Sequence, residues 1–232
     1  MFDISNLSVS EKFAVCEIKH KDIFFEKCSA YLLNSLIVEL ALEGCIEFDD
    51  RSRKKTGKDV RKLFILFTGK EASGETGRQL LNALKDLDNG KLTIYTAVIK
   101  LMHNKEHRRA IATPFYDGLL SKGAISENKK KGFFGTKTVL AADENCYNAI
   151  TEEVRYQLLS ERTLNENMLL LASLLDIFRI LGKMFTKEDR PVIKKRRAEL
   201  KKSPIYTMAS AGYEYLALVV LLICLMYFII LD

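Results

Sequence analysis

The run SAYLLNSLIVELAL, residues 29–42, is apolar on nearly every face and is broken only by Asn34, Ser35 and Glu39. A helix of this kind has no stripe to offer water, so other elements must enclose it. Three prolines and 12 glycines in 232 residues leave room for long helices to do so. The chain therefore reads as a helical domain built around a buried helix.

The remaining segments fit that plan. Gly44 supplies a left-handed helix end. CIEFDD alternates as a half-buried strand does, residues 51–58 form a charged loop, and DVRKLFILF reads as the partner strand. Thr76 and Gln79 form a capping box for a helix through Leu87, closed by Asn89-Gly90. Residues 93–102 are helical. Thr113 followed by Pro114 reads as an N-cap and first position of a helix that runs to Lys122, with Gly123 as terminator. Residues 13–25, 145–159, 165–181 and 185–202 complete the helices. Pro191 lies near the start of the last, and Pro204 stops it.

The expected fold is mainly α: a single-domain helical bundle over residues 1–205, a short protruding β-hairpin, and an apolar C-terminal helix over residues 206–232. Residues 216–231 carry no charge. As a helix they would reach ~24 Å, against a hydrocarbon core of ~30 Å. Tyr213 and Tyr215 suit an interfacial position, with the upstream lysines and arginines on the cytosolic side. A packed final helix and a tail anchor both satisfy these numbers.

The hairpin lies within residues 121–143, SKGAISENKKKGFFGTKTVLAAD. Lys129, Lys130 and Lys131 precede Phe133 and Phe134 at its tip, and Asp143 heads the next helix. Lysines neutralise lipid phosphates while aromatic rings enter the interface. The formal net charge of +6 favours anionic partners generally. The basic runs 129–131 and 194–197, each taken alone, read as a soluble loop and a solvated helix face.

Other chemistries find less support. His103-Asn104-Lys105-Glu106-His107 matches H-x-x-E-H, in which two histidines on one helix face hold zinc and the glutamate acts as base. Lys100, Lys105, Arg108 and Arg109 surround it with positive charge, and His20 is the one further histidine. No phosphate-binding loop or nucleophile elbow occurs, and Thr68-Gly69-Lys70 has the spacing of an ordinary turn. The expectation is a non-enzymatic protein with no metal and no cofactor. The five cysteines are scattered, with no C-x-x-C pair, and read as buried reduced thiols of a cytosolic protein. The N-terminal residues lack the pattern of a signal peptide. A helix, then LLSKGAI, then a basic hairpin also resembles a winged-helix nucleic-acid module. Against it, PFYDGLLSKG offers an aspartate and few base-reading side chains.

NSLIVELALEGCIEF, TGRQLLNAL, LLSKGAI and KKGFFGTKTVLAAD, in this order and followed by helices, resemble the Golgi phosphoprotein 3 family, including its bacterial relatives. The resemblance implies a mainly helical, non-enzymatic peripheral membrane protein with a protruding hairpin. Eukaryotic members bind phosphatidylinositol 4-phosphate on Golgi membranes and retain glycosyltransferases by their cytosolic tails. The family's pocket tryptophan falls on Phe24 and its helix-start arginine on Leu33. Its paired arginines fall on Arg109 and Ala112. Arg108, Lys105 and Lys122 are the nearby cations available in place of the missing ones. The family also ends in an apolar helix preceded by a glutamate, as Glu214 precedes residues 216–231. The implied lipid-binding residues are thus Phe24, Arg108, Arg109 and Lys122. The membrane-contact hairpin is Lys129, Lys130, Lys131, Phe133 and Phe134. Implied partners are an anionic phospholipid or phosphoinositide surface on the cytosolic face of a membrane (Golgi, if eukaryotic), cytosolic tails of membrane proteins, and a second copy through the hairpin.

Overall fold

The computed structural model describes residues 2–20, 28–51, 53–55, 58–60, 62–132, 135–160 and 162–211; at 53–55, 58–60, 131–132 and 135–137 the backbone alone is described. Helix α1 (Val9–His20) opens at Ser8. The Ser8 amide donates to Glu11 Oε2 at 2.8 Å, and the Glu11 amide returns a bond to Ser8 Oγ at 3.3 Å. This reciprocal pair is a capping box, and it starts the helix earlier than residues 13–25 suggest. Helix α2 (Ala30–Leu42) is capped by Ser29, which accepts from the Leu32 amide. As its composition requires, α2 is central: α1, β1, α3, α4 and α9 all pack against it. Leu32, Leu33, Ile37 and Val38 are fully buried.

Gly44, at φ 76°, ends α2 in the left-handed region. Strand β1 (Ile46–Asp50) then pairs antiparallel with β4 (Leu63–Phe67), with Phe48 opposite Ile65. Short strands β2 (Arg53–Lys55) and β3 (Lys58–Val60) pair with each other between them. Helix α3 (Gly74–Leu87) begins three residues before the expected start. Thr76 lies inside the helix, and the Gln79 side chain donates to Glu75 at 2.7 Å, so the expected box at Thr76 does not form. Instead Ser73 stands at the N-cap, and its hydroxyl donates to Glu43 Oε1 at 2.7 Å, tying α3 to the end of α2.

Helix α4 (Ile94–His103) carries a capping box between Thr93 and Thr96. Helix α5 (Lys105–Ser121) runs straight through the expected start at Thr113, with Pro114 in its interior. Proline removes one helical hydrogen bond, that to the carbonyl of Ala110. Ala110 is exposed, so water can serve that carbonyl, while Ile111, Phe115 and Leu119 anchor both sides of the site in the core. Gly123, at φ 69°, terminates the helix as expected.

Strands β5 (Ile125–Gly132) and β6 (Gly135–Ala142) form the hairpin, registered from Ile125–Ala142 to Gly132–Gly135. Helix α6 (Glu144–Leu159) is capped by Asp143. Helix α7 (Glu166–Ile177) ends short of the expected Leu181, because Arg179 turns the chain at φ 59° and a 3-10 turn over Leu181–Lys183 follows. Helices α8 (Arg190–Leu200) and α9 (Pro204–Ala211) close the described chain. Cys16, Cys28, Cys45 and Cys146 are free and buried, as expected of reduced thiols. Burial pushes the Cys146 thiol up to about 11 and Cys28 up to about 12, which keeps both unreactive. No described helix is long and apolar enough to cross a membrane. Residues 216–231 lie outside the described residues.

Candidate functional site

Asn104 shapes the ground around the two arginines. It closes α4 and opens α5 at once, with ψ 106°, and its side chain accepts from the amides of Glu106 and His107 at 3.0 and 3.1 Å. His103 and His107 therefore sit on different helices, and H-x-x-E-H does not form a helical zinc motif. No cluster of three or more potential metal ligands exists among the described residues. Reading through the Asn as part of that motif conceals the cap. The asparagine two residues ahead of Glu106 is the signal that could have revealed it.

Arg108 and Arg109 follow in the first turn of α5. Arg108 is half-buried: Nη1 donates to the Met102 carbonyl at 2.6 Å, and the buried Nε has no hydrogen-bond partner among the described residues. Its own carbonyl faces Cys28 Sγ at 4.0 Å. Arg108 thus braces the α4–α5 corner, whereas Arg109 is exposed beside it. The positive end of the α5 dipole adds to their charge.

The other sequence-predicted cations lie elsewhere. Lys122 is at the opposite end of α5, about 21 Å along the axis from Arg108 at 1.5 Å per residue. Its Nζ contacts both carboxylate oxygens of Glu11 at 2.7 Å and the Asn6 carbonyl at 3.1 Å. That contact joins α5 to the start of α1. The structure therefore does not bring Lys122 together with Arg108 and Arg109. Leu33 and Ala112, where the resemblance places two of the family's arginines, are 0% and 1% exposed and belong to the core. Phe24 lies outside the described residues.

On the hairpin, β5 is exposed from Ser126 through Lys130, while Val139 and Leu140 of β6 are buried and the strand packs on α1. The base is thus anchored, while Ser126 to Lys130 of β5 and Thr138 of β6 face solvent. The register puts Lys129 opposite Thr138, Lys130 opposite Lys137, and Lys131 opposite Thr136. Phe133 and Phe134 lie outside the described residues.

A polar cavity of about 410 Å³ between α1, α2, α6 and α7 is lined by Glu39, Glu43 and Glu153. Its one lysine, Lys12, already pairs with Glu153 at 2.7 Å. The winged-helix reading fares no better. Within residues 114–120 of α5 the exposed side chain is Asp117, which repels phosphate.

The model of the Golgi phosphoprotein 3 (GPP34) family matches residues 26–213. The chain belongs to that family. No curated protein matches the chain significantly. The family match spans α2 to α9 and includes Arg108, Arg109, Lys122 and the whole hairpin. It begins after Phe24 and ends before residues 216–231, so those two features lie outside the part that membership covers. The family takes its name from a Golgi phosphoprotein.

Proposed function

We propose that this Golgi phosphoprotein 3 family member is a non-enzymatic, peripheral membrane protein. It binds anionic phospholipid headgroups and acts as a trafficking or sorting adaptor on the cytosolic face of a membrane. The reading rests on the hairpin: an anchored base, exposed lysines at 129 and 130, and further lysines at 131 and 137 in the sequence of its outer part. Each lysine near an anionic surface contributes about 1 kcal/mol, so four give reversible, salt-sensitive attachment. Arg109 supplies a second, exposed cation at the start of α5.

Leu33 and Ala112 are core side chains, so the family's arginines have no counterpart at those two positions. The recognition is therefore of negative surface charge, with phosphoinositides favoured by their charge. Flotation on vesicles of phosphatidylcholine with and without added anionic lipid is the direct test. Lys129→Glu with Lys130→Glu should abolish flotation and leave the thermal melt unchanged. Undiminished flotation of that variant would remove the hairpin from the account. Duplex DNA bound tightly where vesicles are not would favour the nucleic-acid reading.

A further inference from the structure

Strand β1 leaves one edge of its sheet open. The Thr68 amide donates to the Cys45 carbonyl at 3.2 Å, and the Arg51 amide to the Lys62 carbonyl at 3.1 Å. Such pairs alternate along an antiparallel ladder, so Cys45, Glu47, Asp49 and Arg51 turn their main-chain groups toward β4. Phe48 and Asp50 turn theirs the other way. The far side of β4 is already covered, because the Ile65 amide donates to the Leu92 carbonyl at 2.8 Å. Among the described residues nothing bonds to the outward amides and carbonyls of Phe48 and Asp50. Beside this edge runs a groove of about 570 Å³, with Phe48 and Ala41 on one wall and Pro204 and Met208 of α9 on the other. The buried Ile205 and the bond from Asn34 to the Ala209 carbonyl hold the α9 wall in place. Ile46, 1% exposed, closes one end of the edge. Beyond the other end, the β2–β3 pairing keeps the same register.

We propose that this edge takes an extended segment of a partner protein as a third strand of the sheet. An extended chain presents amides and carbonyls at the spacing that pairs with Phe48 and Asp50 together. The alternation of β1 sets the chemistry of the segment. Phe48 faces the groove, where an apolar side chain meets it and Met208. Glu47 and Asp49 lie on the opposite face of the strand. Asp49 pairs with Arg51 at 2.6 Å, which leaves Glu47 exposed and without an ion-pair partner among the described residues. A lysine or arginine opposite Glu47 complements it. The occupant is thus a strand in which apolar and basic residues alternate. A second copy would have to bring its own α9 wall into the same groove, whereas a free segment brings only itself. Binding at this edge needs no lipid and stands apart from the headgroup reading.

A labelled peptide tests this without membranes. The probe is fluorescein-tagged Lys-Val-Lys-Val-Lys amide, titrated with the full chain and read by anisotropy. It should bind saturably, one peptide per chain. Asp50→Pro removes an outward amide hydrogen and no bond to β4, a change that an edge strand tolerates. It should weaken binding about tenfold. Asp50→Asn keeps that hydrogen and should bind as the unmodified chain does, while Glu47→Lys should weaken binding. N-methylation of the two valine amides of the probe should abolish binding, and N-methylation of the central lysine amide should not. That comparison decides the matter even where Asp50→Pro fails to fold. Failure of the probe to bind, equal loss with Asp50→Pro and Asp50→Asn, or indifference to the valine methyl groups would overturn the proposal. A dimer of the chain in sedimentation that Asp50→Pro dissolves would assign the edge to a second copy and overturn it too. The headgroup reading survives each of these results.

Discussion

Asn34, in the middle of the buried helix α2, donates its side-chain amide to the main-chain carbonyl of Ala209 at 2.6 Å, across 175 residues of sequence. Both groups are out of water, and the Asn34 Oδ1 has no hydrogen-bond partner among the described residues. The bond fixes α9 against α2.

Replacement of Asn34 tests that role. Asn34→Leu removes the unpaired oxygen but strands the Ala209 carbonyl, at a cost of about 1–3 kcal/mol. Asn34→Asp sets a carboxylate against that carbonyl and should destabilise more. Denaturant midpoints of the two variants should rank in that order.

Glu39 predicts a pH dependence. Its carboxylate accepts from the Val9 amide at 3.1 Å and the Ser8 hydroxyl at 3.3 Å, but burial raises its pKa above the ordinary 4.5. The folded state thus holds this proton more tightly than the unfolded state. Stability falls as pH rises from 4.5 through the elevated value, and the cost persists above it. Glu39→Gln should flatten the stability profile in that window, as read from urea midpoints at several pH values.

Lys122 separates a structural cation from a lipid-binding one. Its side chain is 30% exposed and that of Glu11 12% exposed, so solvent screens the ion pair only in part. Lys122→Met should cost about 1 kcal/mol of stability. Vesicle flotation of the same variant should match the unmodified protein. A large loss of flotation with no loss of stability would assign Lys122 to the headgroup surface after all.

Arg108 and Arg109, adjacent in sequence, should behave differently. Arg108→Ala removes the bond to the Met102 carbonyl and is expected to lower stability by about 1–2 kcal/mol. Arg109→Glu should leave the melt unchanged and weaken flotation, more at low salt than at high salt. Equal effects of both substitutions on both measurements would contradict the division drawn here.

Most of the elements are legible in local sequence signals. The all-round apolar run of α2, the glycines after α2 and α5, Asp143 ahead of α6 and the alternation of β1 are local signals. Helix ends and strand faces are set within about four residues. The sequence misplaces the starts of α3 and α5 because Thr76 and Thr113-Pro114 are good local starts that packing overrides. The company each charge keeps follows only from the folded arrangement. Lys122 meets Glu11 across 111 residues, Asn104 divides two histidines that the sequence places together, and Leu33 and Ala112 turn inward. Such pairings depend on which faces meet after the chain has collapsed, and spacing along the chain does not encode that.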